Sequence, residues 1–222
     1  MKGVSGLAGV YITPEPQHEF CYAAHPSPLR QKSSNEINFD DHNLWMLDER
    51  LAYHRYLASD KRFVEHDGPI DVAGNQRPDI IIYNNPFALT PGEPAMQQPV
   101  IIVEFKRPER QDVSGDHDPV KQVLDYIERI RQGKAKRPAG TTIERPADNL
   151  PFYCYVVMTL NEAARRGALR NDFKPTPDGR GYFRFHDFYN AYIEVSSYEK
   201  VLDDAIKRNQ AFFDRLEIKV RR

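Results

Sequence analysis

The chain has 222 residues, of which 40% are hydrophobic and 28% charged, and its formal net charge at pH 7 is −1. This length and composition are ordinary for one large globular domain with its own core. No apolar run is long enough to cross a bilayer and no signal peptide is recognisable, so we expect a cytoplasmic protein with no membrane partner. The near-neutral charge argues against adhesion to nucleic acid over the whole surface, but it allows a local basic groove.

The N-terminal residues 1–35 are rich in Pro, Ser, Gly and His and show no periodicity. We predict that they form an irregular lead-in, or the edge of a piece of a longer polypeptide, before one domain over residues 36–222. Cys21 and Cys154 stand far apart and outside any Cys/His cluster, which predicts reduced thiols rather than a zinc site. The sequence has no glycine-rich phosphate loop, so we do not expect it to bind ATP.

A first helix is predicted from Asp40 or Asp41, either of which can cap it, to about residue 58. Most of its apolar stripe is formed by Leu44, Leu47, Leu51 and Leu57. A turn-rich stretch follows, with a short strand near residues 70–73. Two continuously apolar segments, IIIY at 80–83 and VIIVEF from residue 100, are then typical of buried strands. The proline-rich connection between them, residues 84–98, is predicted to be a loop.

Charged side chains stand at the ends of these two predicted strands. Asp79 opens the first, while Glu104 and Lys106 stand two residues apart at the end of the second and so share one face, with Phe105 on the other. Bare carboxylates about 4 Å apart would repel by roughly 4 kcal/mol at an effective dielectric of about 20, which predicts a bound cation or a shared proton. Such oxygen ligands suit Mg²⁺ or Mn²⁺, and a lysine beside them can position water or offset charge on a phosphate.

A second helix is predicted to begin after Asp118 and Pro119 and to end near Gln132. Its core face is formed by Val120, Val123, Leu124, Ile127 and Ile130. Gln122 and Tyr126 lie four residues apart along one border of that face, where a side chain can be held by packing and still reach a cleft.

The last third of the chain predicts further strands and helices. FYCYVVM at 152–158 is a buried strand, and a short helix capped by Thr159 or Asn161 should end near Gly167. Two strands at 181–185 and 191–195 precede a final helix, for which Ser196 and Glu199 form a capping box. This order of elements predicts an α/β fold, with a mixed central sheet flanked by helices.

The ordered set of Asp79 followed by Glu104-Phe105-Lys106, including Pro78 before the aspartate, resembles the PD-(D/E)XK nuclease signature. QVLDY, from Gln122 to Tyr126, resembles the Q-x-x-x-Y helix motif of the RecB-type branch of that superfamily. The resemblance implies a restriction-endonuclease-like fold and a Mg²⁺- or Mn²⁺-dependent deoxyribonuclease.

The resemblance also implies roles for the site residues. Asp79 and Glu104 would hold the metal, with the carbonyl of Phe105 as a further ligand, and Lys106 would position the attacking water or stabilise the transition state. Gln122 and Tyr126 would orient the attacked phosphate or a water on the metal. An additional acid on the first helix would face the metal; Glu49 is the candidate, and Asp48 and Glu36 are its rivals.

Basic residues would hold the phosphate backbone of the DNA partner. They are Arg107, Arg129, Arg131, Lys134, Lys136 and Arg137. A wider set of segments, LWMLDERLAYHRYLASDK, PFYCYVVM and TPDGRGYF, resembles a nuclease-like region at the C-terminal end of bacterial proteins that begin with a GHKL-type ATPase and are suspected of antiphage defence. That resemblance implies an ATPase partner or a missing ATPase region, and enzymes of this fold often pair as homodimers.

Two other functions are compatible with the sequence. The chain could be a catalytically silent nucleic-acid-binding or regulatory module on the same fold, or a hydrolase of a signalling nucleotide. The nuclease hypothesis requires that Asp79 meets Glu104 and Lys106. It also requires that the couplet formed by Glu104 and Lys106 faces solvent.

Overall fold

A computed structural model of the chain describes residues 33–34, 47–48, 56–83, 99–108, 115–136, 142–144 and 150–215. Most of the strands in this part of the chain join one sheet: β1 Ser33–Ser34, β2 Tyr56–Ser59, β4 Ile80–Tyr83, β5 Val100–Phe105, β8 Phe152–Val157, β9 Lys174–Pro175, β10 Gly181–His186 and β11 Ala191–Ser196. A second, small sheet contains β3 Ile70–Asp71, β6 Lys134–Lys136 and β7 Thr142–Glu144. The α-helices are α1 Pro119–Gln132, α2 Glu162–Arg170 and α3 Tyr198–Arg215.

The main sheet is mixed, as the sequence predicts. Its strands lie in the order β1-β2-β4-β5-β8-β11-β10-β9. The three central strands β5, β8 and β11 run parallel, and every other neighbouring pair in the sheet is antiparallel. The carboxyl ends of β5 and β8 therefore lie at the same edge of the sheet, beside the start of β4.

Helices cover both faces of this sheet, which confirms the α/β architecture. On one face, Ile81, Ile102 and Cys154 pack against the apolar side of α1 and against Ala168 of α2. On the other face, Val157 packs against Tyr198, Val201 and Ala205 of α3. None of the helices in the described ranges is long and apolar enough to span a bilayer.

Helix α1 forms where the sequence predicts it and carries part of the candidate site. Asp118 Oδ1 accepts a hydrogen bond from the backbone N–H of Val120 at 2.8 Å, and Pro119 is the first helical residue. The helix ends at Gln132, and the predicted core positions Val123, Ile127 and Ile130 are fully buried. The cap and the apolar stripe thus fix which side of α1 faces β5.

The predicted extent of the first helix is wrong at its C-terminal end. Tyr56–Ser59 is strand β2, and all of its residues are buried. Leu57 belongs to the sheet, where it lies opposite Ile82 of β4. The three-to-four spacing of the leucines suggested a helix, but pairing with a distant strand determines this segment. The remainder of the predicted helix lies outside the described residues, apart from Leu47 and Asp48, which are not helical.

Smaller corrections concern element ends. Ser33 and Ser34, within the predicted irregular lead-in, form edge strand β1 against β2. Helix α2 ends at Arg170 rather than near Gly167, whose position has open space around it. The final helix is capped by Ser197, whose Oγ accepts from the Lys200 N–H at 3.1 Å, and not by Ser196. The predicted loop at 84–98 lies outside the described residues.

Candidate active site

Asp79 and Glu104 come together because β4 and β5 pair antiparallel. Ile80 lies opposite Val103, so the same register, continued by one residue, sets Asp79 opposite Glu104. The backbone N–H of Phe105 donates to Asp79 Oδ2 at 2.7 Å. The aspartate is thereby held against the end of the strand that carries the glutamate, on the sheet face that α1 covers.

Lys106 completes the predicted trio. Its Nζ lies 2.8 Å from Glu104 Oε1, and its backbone N–H donates to the carbonyl of Val157 at 2.9 Å, which extends the ladder between β5 and β8. Only 3% of Glu104 and 7% of Lys106 is exposed, whereas Asp79 is half-buried. The expectation that the couplet faces solvent is therefore wrong, because the side chains of α1 and the sheet enclose it.

Gln122 and Tyr126 of α1 join the same hydrogen-bonded cluster. Gln122 Oε1 accepts from Lys106 Nζ at 2.6 Å, and its Nε2 donates to Glu104 Oε1 at 2.9 Å. The same amide nitrogen donates to the hydroxyl of Tyr126, which in turn donates to the carbonyl of Arg77 at 3.0 Å. The four-residue spacing on the helix thus lets one side chain touch the couplet while the other anchors it to the segment before Asp79.

The electrostatics of the cluster centre on Glu104. Burial and then the nearby charge of Asp79 raise the pKa of Glu104 to about 7, although Lys106 acts in the opposite direction. Burial also raises the pKa of the Tyr126 hydroxyl, which therefore remains a proton donor. Such a perturbed carboxylate beside a second acid is typical of functional sites.

Glu104 also has one oxygen without a partner. While Oε1 accepts from two side chains, Oε2 is buried and has no hydrogen-bond partner among the residues described. A buried carboxylate oxygen left in this way costs free energy unless an ion, a proton or a donor satisfies it. Carboxylate oxygens are the ligands that divalent cations such as Mg²⁺ prefer.

None of the described residues supplies the additional acid predicted for the metal. In the described part of the chain, no group of three or more His, Cys, Asp or Glu side chains could hold a metal ion. Glu49 and Glu36 lie outside the described residues. Asp48 lies on the opposite face of the sheet, where Tyr155 donates to its Oδ2 at 3.4 Å and where it lines a cavity of about 390 Å³ beside α3. Asp48, a rival of Glu49 for this role, thus contacts the sheet face opposite the one that carries Glu104.

The basic residues are not all gathered around the couplet. Arg107 is exposed directly after Lys106. Arg131 lies nine residues after Gln122, or about 14 Å farther along α1 at 1.5 Å per residue. Its guanidinium lies over the rings of Phe188 and Tyr189, at 5.8 and 5.5 Å from their centroids, and its Nη1 donates to the Phe188 carbonyl at 2.9 Å. Arg131 thus attaches the turn between β10 and β11 to α1.

The other basic positions lie at that same far end of α1. Arg129 is half-buried near Gly74, and Lys134 is exposed at the start of β6. Lys136 belongs to the same strand, and Arg137 lies outside the described residues. Contacts of these residues with nucleic acid stay a prediction, and any such contact would lie well away from Glu104.

Sequence reasoning missed two residues that hold the cluster. The carbonyl of Arg77 receives the Tyr126 hydroxyl, and the hydroxyl of Tyr198 donates to the carbonyl of Lys106 at 2.5 Å. A backbone acceptor leaves no signature in side-chain types, and Tyr198 stands 92 positions from its partner.

Comparisons of the chain with protein-family models, with curated proteins and with solved structures found no match.

Proposed function

We propose that the chain is a metal-dependent nuclease of the PD-(D/E)XK type, with a restriction-endonuclease-like fold, that hydrolyses phosphodiester bonds in DNA. One observation carries this proposal. Side chains from the end of β5, from α1 and from the segment before β4 meet in a single cluster of two acids, a lysine, an amide and a phenol, in which Glu104 Oε2 has no hydrogen-bond partner among the described residues.

Asp79 and Glu104 would hold the metal, Mg²⁺ or Mn²⁺, with the backbone carbonyl of Phe105 as the additional ligand suggested by the motif. A divalent ion bound there would polarise the phosphate and lower the pKa of a bound water. The raised pKa of Glu104 is compatible with this role, because the charge of a bound cation would favour the ionised carboxylate.

Lys106 supplies the positive charge of the site. Its ammonium is held by Glu104 Oε1 and Gln122 Oε1, at 2.8 and 2.6 Å, so its position is set before substrate binds. A preorganised ammonium can stabilise the negative charge that develops on a phosphate under attack, or orient the attacking water. Tyr126, anchored to Arg77, keeps Gln122 in place, and Gln122 in turn keeps the ammonium in place.

The nuclease hypothesis requires that Glu104 and Lys106 face solvent, and their burial leaves this requirement unmet. The proposal therefore also requires that the cluster opens when substrate binds. Asp79 and Gln122 are half-buried and form the accessible edge of the cluster, whereas Glu104 and Lys106 are covered. A phosphate must therefore approach from the side of Asp79 and Gln122. Rotation of the Gln122 side chain, so that its Oε1 leaves Lys106 Nζ and its Nε2 donates to the phosphate, would open the ammonium to the substrate.

The same burial favours a second candidate, a catalytically silent nucleic-acid-binding or regulatory module. In that case the couplet of Glu104 and Lys106 is an internal ion pair that Gln122 completes, and it serves the fold alone. The two candidates differ in one respect that can be measured: the silent module binds nucleic acid without metal-dependent cleavage.

The test is an incubation of the purified chain with supercoiled plasmid, linear duplex and single-stranded DNA, each with Mg²⁺, Mn²⁺ or EDTA. The nuclease predicts cleavage with either metal and none with EDTA. Lys106→Ala should abolish it, and the matched variant Lys174→Ala, which removes an exposed lysine of β9, should cleave like the wild type. Undiminished cleavage by Lys106→Ala would contradict the role proposed for Lys106, or would come from a contaminating nuclease if an unrelated protein purified in the same way also cleaves. Tight binding without cleavage would support the silent module.

A further inference from the structure

We propose that Tyr198 is a positioning residue for Lys106, an inference that rests on the proposed nuclease function. Tyr198 is the first residue of α3, and only 3% of it is exposed. Its hydroxyl donates to the backbone carbonyl of Lys106 at 2.5 Å. Helix α3 packs on the sheet face opposite α1, so this contact reaches the catalytic lysine from the other side of β5.

Lys106 needs such an anchor because it lies one residue beyond the end of β5. Its N–H still donates to Val157, but its carbonyl is held by a side chain rather than by the ladder of the sheet. The Tyr198 hydroxyl and the Val157 carbonyl together fix both peptide groups of the residue. This fixes the direction in which the Lys106 side chain leaves the backbone, toward Glu104 and Gln122.

The ammonium depends on that direction. Lys106 Nζ makes hydrogen bonds at 2.8 Å to Glu104 and at 2.6 Å to Gln122, and a shift of the backbone by even half an ångström would lengthen one or both. Misplacement of a catalytic group by about 1 Å can reduce a rate by about 100-fold. Tyr198 itself lies beneath the sheet and would not touch the substrate, so its effect should fall on turnover rather than on binding.

A purely structural tyrosine would behave differently. Buried tyrosines usually find a hydrogen-bond acceptor, and the loss of such a bond lowers stability without a selective effect on one active-site group. Tyr192 offers the matched comparison. It lies on the same sheet face as Tyr198, and its hydroxyl donates to Glu194 at 3.1 Å, on β11, which is two strands away from β5.

The experiment compares Tyr198→Phe with Tyr192→Phe, each of which removes one hydroxyl. Tyr198→Phe should lower kcat by about 10- to 100-fold, with the KM for an oligonucleotide and the half-saturating Mg²⁺ concentration within twofold of the wild type. Tyr192→Phe should leave all three unchanged. A kcat for Tyr198→Phe within twofold of Tyr192→Phe, or a change confined to KM, would overturn the proposal.

A second measurement stands apart from catalysis and separates this proposal from the nuclease hypothesis. Native-state hydrogen exchange, followed by NMR, should show the Lys106 amide exchanging at least 10-fold faster in Tyr198→Phe, with the Ile102 amide of β5 unchanged. An unchanged Lys106 amide would overturn the positioning role, even if the wild type cleaves DNA. If the wild type does not cleave DNA but the Lys106 amide exchanges selectively faster in Tyr198→Phe, the nuclease hypothesis is wrong and the anchoring of Lys106 by Tyr198 is supported.

Discussion

Lys106 Nζ lies 2.8 Å from Glu104 Oε1, in a pair that is almost completely buried. A buried ion pair recovers its desolvation cost only when further hydrogen bonds satisfy both groups. Gln122 supplies one such bond to each partner, but Glu104 Oε2 has none among the described residues. In the proposed metal site, a cation held by Glu104 and Asp79 would supply the contact that this oxygen lacks.

Replacing Asp79 tests the metal hypothesis with little disturbance of the fold. Asp79→Asn keeps an oxygen that can accept from the Phe105 N–H, now found at 2.7 Å, but it removes the charge. We expect metal-dependent cleavage to fall at least 100-fold, measured as kcat/KM on a labelled duplex. Asp71→Asn, which neutralises an exposed aspartate in β3, is the control and should keep full activity.

The raised pKa of Glu104 predicts a pH dependence of stability in the absence of divalent ions. Because its pKa in the folded state is about 7, above the ordinary 4.5, the folded protein binds more protons between these values. The free energy of unfolding should therefore fall as pH rises from about 4.5 to about 7, by up to about 3 kcal/mol for this group.

Urea unfolding of the wild type and of Glu104→Gln in EDTA measures this contribution. The comparison must be a difference, because His66, whose pKa is lowered to about 4 by burial, makes stability rise with pH over an overlapping range. The stability of Glu104→Gln relative to the wild type should increase from pH 5 to pH 7.5. A difference that does not change with pH would show that Glu104 ionises normally.

Divalent cations should offset the loss of stability that the ionisation of Glu104 causes as pH rises. Metal binding requires ionised carboxylates, so Mg²⁺ should raise the midpoint of thermal unfolding more at pH 8 than at pH 5.5. The shift should be lost in Glu104→Gln and in Asp79→Asn, whereas Asp71→Asn should retain it. Equal shifts in the wild type and in both site variants would place the bound ions elsewhere on the surface.

The junction between α1 and β6 gives a test of the fold itself. A Cβ added at Gly133 would lie 2.8 Å from Ile70 Cγ2 and 2.9 Å from the Asp71 carbonyl, so Gly133→Ala should destabilise the protein by about 1 to 3 kcal/mol. Gly167 in α2 has open space, and Gly167→Ala should stabilise the helix by about 0.5 to 1 kcal/mol. Chemical denaturation of both variants checks the pair, and equal effects would contradict the packing at Gly133.

Local signals in the sequence are sufficient to locate those elements whose ends are set by neighbouring residues. The cap at Asp118, the proline after it and the apolar stripe located α1 to the residue, and the β-branched runs located β4 and β5. Because Asp79 and Glu104 stand at the ends of these strands, their meeting could be predicted as well, whereas the part of Gln122 and Tyr126 in the site is implied by the family resemblance.

The predictions of element type and element ends are wrong where contacts between distant parts of the chain determine the structure. Tyr56–Ser59 carries a leucine at helical spacing, yet pairing with β1 and β4 makes it a strand. Ser196 and Ser197 are equally good caps in the sequence. In the structure, Ser196 is the last residue of β11 and pairs with Val157 of β8, so Ser197 caps the helix. The burial of Glu104 and Lys106, and the anchoring of Lys106 by Tyr198, depend on how helices pack on two faces of the sheet, which periodicity does not encode.

The most direct test of the proposed metal site is a crystal structure of the chain soaked in Mn²⁺, with an anomalous difference map to locate the ion. We predict a peak that lies within about 2.3 Å of an oxygen of Asp79 and of Glu104 Oε2, the ordinary range for such ligands. A map with no peak at these carboxylates, and with Glu104 bonded only to Lys106 and Gln122, would contradict the proposed metal site.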